Sequence, residues 1–168
     1  MVSSTVLALA MQVLLRPGSA DLVPPQVEIV AWSLIRGVDP HVALAVQAAE
    51  TGGLEEPSGT RDRVISKGNY GRFQIRCKTW RQVFGHQDCD ELLDRHANIR
   101  AGVAVLAYVQ AVFGGGRPGG VPTWVGHYNE GNVVTPGGNG ERVTRAVLGF
   151  MRRTQVLASR MSGSYRGW

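Results

Sequence analysis

The chain has 168 residues, enough for about one domain of ordinary size. Apolar residues make up 43% and charged ones 18%, which excludes a disordered or fibrous chain, and only two cysteines exclude a disulfide-dense scaffold. Eighteen Lys plus Arg against thirteen Asp plus Glu leave a net charge of +5, and no run of eighteen apolar residues is present to span a bilayer.

In chain order, Thr5 to Leu15 (TVLALAMQVLL) is apolar, and Gly18-Ser19-Ala20 follows with small side chains. This segment reads either as a first helix, with Leu7, Met11, Leu14 and Leu15 on one face, or as a signal-like leader. No Lys or Arg precedes it, which favours the helix. After Pro24-Pro25, apolar residues recur at helical spacing from Val27 to Ile35, and Gly37 ends that helix. Asp39 then caps a new helix with Pro40 at its first position, running to about Thr51. It is almost wholly apolar, as a helix buried on most sides should be.

Residues 52–72 are rich in Gly, Pro, Ser and charge, and read as a long loop or a few short strands. A short helix is expected over Lys78 to Phe84 and a clear one over 96–113, with Ile99, Val103, Leu106 and Val109 on one side. Gly114 to Gly120 is a flexible connection. A helix near Pro122 to Asn129, a second glycine-rich loop and a helix from Glu141 to Arg152 follow. Beyond Glu141 the chain carries Arg142, Arg145, Arg152, Arg153, Arg160 and Arg166 and no acid. Such a tail is a solvated basic face or an attractor of nucleic acid, anionic lipid or an acidic wall polymer. No recognition module or aromatic cluster accompanies it, so nucleic acid is not an expected partner. The expected fold is mainly α, in one domain over 26–153, flanked by an N-terminal segment (1–25) and a basic tail (154–168).

Glu50 is the residue that needs an explanation. It ends an apolar helix, where both burial and the helix dipole oppose a carboxylate charge and raise the pKa towards that of a general acid. A glutamate in a last turn can equally point into water.

Four segments in order resemble the soluble lytic transglycosylase family, over roughly residues 26–153. Gly37-Val38-Asp39-Pro40 leading to Ala48-Ala49-Glu50-Thr51 is similar to its "GVDP…ES" helix, and Ser66 to Ile75 (SKGNYGRFQI) to its "SxxGAxGLMQI" segment. Asn98-Ile99-Arg100-Ala101-Gly102 resembles its "NIxxG" helix, and Tyr128-Asn129-Glu130-Gly131 its "AYNxG" motif, with Val143 to Phe150 like the closing helix. The resemblance implies a lysozyme-like domain that cleaves the β-1,4 bond between N-acetylmuramic acid and N-acetylglucosamine in peptidoglycan. Glu50 is then the single catalytic acid and base, and the muramic acid carbon-6 hydroxyl is the internal nucleophile, leaving 1,6-anhydro ends.

The resemblance also implies that Tyr128 orients Glu50 by a hydrogen bond, and that Thr51, Phe73, Gln74 and Asn129 belong to the sugar groove. Taken alone, Tyr128 reads as a half-buried aromatic, Gln74 as an amide bonded to backbone, and Asn129 as a helix C-cap. Departures from the pattern are Thr51 for serine, Arg72-Phe73 for Leu-Met, His127 for alanine, and no proline after Ile75. Arg72 is therefore expected to line the groove, and His127 to add a titratable group near it.

Two alternatives stay open. One is a hydrolytic muramidase with a second acid drawn from Glu55, Glu56 and, above all, Asp62. The other is an inactive glycan-binding or structural module of a phage particle or a secretion or conjugation apparatus. No cofactor or metal is expected, since Cys77, His86, Cys89 and His96 fit no standard zinc spacing. Cys77 and Cys89 are expected to pair, because the implied substrate lies outside the cytoplasm, in the periplasm or envelope. The expected state is a monomer, secreted or carried in a virion.

Overall fold

A computed structural model describes residues 23–51, 60–85, 88–114, 123–130, 136–138, 140–150 and 152. The expectations for the N-terminal segment up to residue 22, Glu55, Glu56, His86, the glycine-rich connection over 115–120 and the tail lie outside these residues. The described part is mostly helical, with one small antiparallel sheet.

Helix α1 (Pro25–Arg36) starts with Pro25 in its first turn, where a missing N–H costs nothing. It ends in a Schellman motif: Gly37 adopts φ 69°, its N–H reaches Leu34 O, and Val38 N–H donates to Ser33 O. Asp39 then caps α2 (Pro40–Thr51), its side chain accepting from His41 N at 2.9 Å. Val42, Ala43, Ala45, Val46 and Gln47 of α2 are buried, as an apolar helix requires.

A 3₁₀ turn (Thr60–Arg63) leads into the sheet, β1 (Ile65–Ser66), β2 (Asn69–Tyr70) and β3 (Ile75–Arg76). Strand β2 pairs antiparallel with both neighbours, Ile65 opposite Tyr70 and Tyr70 opposite Ile75. Lys67 (φ 52°) and Gly68 (φ 82°) form the two-residue hairpin turn, whose left-handed pair matches the strand twist. The third strand extends the sheet beyond the loop in which strands were expected. Helix α3 (Cys77–Phe84), a 3₁₀ turn (Cys89–Leu93) and α4 (Arg95–Phe113) follow, with Asp94 capping α4 by accepting from Ala97 N. The expected helix near 122–129 is instead a 3₁₀ turn (Thr123–Val125) running into α5 (Gly126–Glu130), and residues 140–150 form α6.

Helix α4 is the hub, packing against α1, α3 and α5. Its core face includes Ile99, Val103, Val105, Leu106 and Val109, all fully buried. Gly102 lets Phe73 lie directly on α4, for a Cβ there would overlap the Phe73 ring. At the α1–α4 contact Glu28 is buried, with His96 Nδ1 at 2.9 Å and Arg95 Nε at 3.9 Å from its carboxylate. Burial raises the Glu28 pKa, and His96 and then Arg95 offset part of that rise. Cys77 and Cys89 are joined in a disulfide that ties α3 to the turn before α4. Among the described residues, no helix is long and apolar enough to cross a membrane.

Gly102→Ala should lower stability by about 1–3 kcal/mol, because the new Cβ would overlap the root of the buried Phe73 side chain. An unchanged urea midpoint would contradict this packing. Reducing the Cys77–Cys89 bridge should cost about 3 kcal/mol through the freedom returned to the unfolded chain, read as a lower unfolding midpoint with reductant present.

Candidate active site

Glu50 stands in the last turn of α2, where the helix presents unpaired carbonyls and the negative end of its dipole. Its side chain is half-buried, and burial raises its pKa above the ordinary 4.5. Two groups oppose that rise: the hydrogen bond from Asn129, then the charge of Arg142 on α6. Asn129 Nδ2 donates to Glu50 Oε1 at 2.5 Å across 79 residues of sequence. With Oε1 accepting this bond, Oε2 is the oxygen left to carry a proton when the carboxyl is neutral.

Tyr128 sits beside this pair but does not bond it. Its buried hydroxyl donates to Phe73 O at 2.8 Å, which corrects the expected hydrogen bond to Glu50. The physical reason is that a buried hydroxyl takes a strong backbone acceptor, here a carbonyl at the end of the hairpin segment. Burial, and after it the nearby Glu50 charge, push the Tyr128 pKa well above 10.0, so it stays protonated.

Several other expected groove residues are committed elsewhere. Phe73 has no exposed surface and fills the core against Gly102. Arg72, expected in the groove, is 1% exposed and donates from Nε to Asp62 Oδ1 at 2.8 Å. A buried guanidinium needs a counter-charge, and Asp62, ten residues upstream, supplies it. Asp62, the suggested second acid, is thereby a buried partner and not a solvated loop charge. Gln74 adopts φ 46°, and its amide donates to Gly71 O at 2.8 Å and Val64 O at 3.4 Å, bracing the turn. The Thr51 hydroxyl donates to Gln47 O and accepts from Gln47 Nε2. The His127 ring stacks on Phe113, centroids 3.9 Å apart and nearly parallel.

Three residues take structural or electrostatic roles that the sequence does not assign to them. Buried Asn98 accepts from Phe73 N at 2.8 Å and donates to Tyr70 O and Leu92 O. Arg142, read from sequence only as tail charge, is the cation whose field reaches Glu50. Glu130 Oε1 accepts from Gly140 N at 2.8 Å, which fastens the start of α6 to the end of α5.

With Cys77 and Cys89 bonded to each other, neither offers a thiolate to a metal. Among the described residues, no group of three or more His, Cys, Asp and Glu is placed to hold a metal ion. The site joins one half-buried carboxyl of raised pKa to one amide that donates to it. The chain matches no family model, no curated protein and no solved structure.

Glu50→Gln should stabilise the protein at neutral pH. Folded Glu50 holds its proton more tightly than the unfolded chain, so its contribution is full below about pH 4.5 and is lost as pH rises through the raised folded value. The advantage of the glutamine variant over wild type should thus be smallest in acid and grow to a plateau at higher pH. A pH-independent difference in urea unfolding would contradict the site.

Proposed function

We propose that the protein is a peptidoglycan lytic transglycosylase of lysozyme-like fold that works with Glu50 alone as acid and base. The observation that carries this reading is the half-buried Glu50 carboxyl, its pKa raised by burial, aimed by Asn129. The motif resemblance around both residues supplies the substrate class.

Glu50 Oε2 gives its proton to the glycosidic oxygen as the bond to the anomeric carbon breaks, and the N-acetylglucosamine strand leaves as an alcohol. Positive charge develops at the anomeric carbon of the muramic acid, facing the newly formed carboxylate. That carboxylate then takes the proton from the carbon-6 hydroxyl of the same sugar, and the freed oxygen closes on the anomeric carbon. A 1,6-anhydro ring results and Glu50 regains its proton. The nucleophile is tethered to its target, which favours this closure over attack by water. Asp62, held by Arg72, is poorly disposed to activate a water for hydrolysis, which weighs against the muramidase alternative.

The Cys77–Cys89 disulfide suits an oxidising compartment, in keeping with action in the periplasm or envelope, by a secreted or virion-carried protein.

Glu50→Gln should reduce release of soluble fragments from purified sacculi by at least about 100-fold, the usual worth of a general acid. Because Glu50 must hold its proton, activity should fall as pH rises through the raised value. Asn129→Ala removes a group that favours the charged form, so the alkaline limb should move to higher pH while the rate drops. A limb that stays in place would show that Asn129 does not act on Glu50. Full activity in the glutamine variant would remove Glu50 from the mechanism.

A further inference from the structure

A cleft of about 550 Å³ lies between the end of α1, α3 and the middle of α4, and Glu50 is not among its lining residues. Arg36 lines it, three residues before the cap of α2, whereas Glu50 lies at the other end of that helix, a rise of about 15 Å from Pro40. Ala104, buried Trp80 and exposed Tyr108 line the cleft, the two rings packed edge-on with centroids 6.1 Å apart at 65°. Tyr108 is 46% exposed, far more than packing on Trp80 requires. Thr79 and Gln82 add exposed hydrogen-bonding groups.

The cleft is also electrostatically one-sided. Among the described residues no carboxylate lines it, and from Arg63 to Gln87 the chain carries six cations and no acid. Lys78 stands one turn from Gln82 on α3, and Arg100 one turn from Ala104 on α4. Arg36, Lys78 and Arg100 are all exposed, and none makes an ion pair among the described residues. An aromatic face takes the apolar side of a sugar ring, amide and hydroxyl groups take its hydroxyls, and free cations take a carboxylate.

We propose that this cleft is a second saccharide site, which binds a carboxylate-bearing glycan strand with a sugar ring on Tyr108 and an acidic substituent on Arg36. For the identity of the natural ligand the inference rests on the peptidoglycan reading, whose stem peptides carry such carboxylates. Occupation of a site remote from the cut holds the enzyme on its polymer between cleavages and raises the local concentration of bonds at Glu50.

The test is titration of the full chain carrying Glu50→Gln with uncrosslinked peptidoglycan strands, with neutral N-acetylglucosamine oligomers as the comparison. Adding Tyr108→Ala or Arg36→Glu should each weaken strand binding about tenfold, as expected for a central aromatic or arginine anchor. The Arg36 effect should shrink with added salt and be absent for the neutral oligomers. Strand binding that is unchanged in both variants overturns the inference, as does preferential binding of the cleft to phosphatidylglycerol vesicles. Cleavage by the wild type is read separately: a protein that binds strands through Tyr108 and Arg36 without cutting them keeps this site and loses the catalytic assignment.

Discussion

The side chain of Asn98 fixes the geometry on which the candidate site depends. Its amide is fully buried in the first turn of α4 and satisfies three backbone groups from two other segments. Leaving any of these groups unpaired in the core would cost about 1–3 kcal/mol, so the hairpin has one position available on α4. Gly71 permits the approach, since a Cβ there would overlap the Asn98 amide. From this anchor the order passes outward: Phe73 N is held by Asn98, and Phe73 O receives the Tyr128 hydroxyl. Tyr128 thereby fixes α5, and its neighbour Asn129 reaches Glu50. The aim of a carboxyl on α2 is thus set by an amide on α4 through a hairpin and a five-residue helix.

Electrostatics at Glu50 are a balance, and burial wins it. Removal from water and the dipole end of α2 both favour the neutral acid. The Asn129 bond and the Arg142 charge pull the other way without cancelling the rise. Under the proposed mechanism that balance suits the group: burial favours the neutral acid, while a donor and a cation face the carboxylate it would become. The contrast with Asp62 is instructive. Asp62 is also buried, yet it faces a buried guanidinium at 2.8 Å and is bound up in structure.

Local signals in the sequence were good guides to local structure. Gly37 and Asp39 mark the end of α1 and the start of α2, and the α4 pattern falls within a residue of Arg95–Phe113. Glu50 was conspicuous as a lone acid at the end of an apolar helix, and Asn129 came through the motif in which it sits. What could not be read was where long side chains find their partners. Arg72 is expected in the groove only because it stands where the resembled family has leucine; the pairing with Asp62 across a turn is not visible in the sequence. Glu28 and His96 are 68 residues apart, and no periodicity announces such a pair. The motif places Tyr128 beside Glu50 but not its acceptor, since the Phe73 carbonyl becomes available only once the hairpin is in place.

The central claim is that one carboxyl, without an activated water, opens the glycan strand. Mass spectrometry of the fragments released from purified sacculi tests it most directly. The account predicts muropeptides that end in 1,6-anhydro-muramic acid. Reducing ends, heavier by one water, would contradict it and require a second group that activates water beside Glu50.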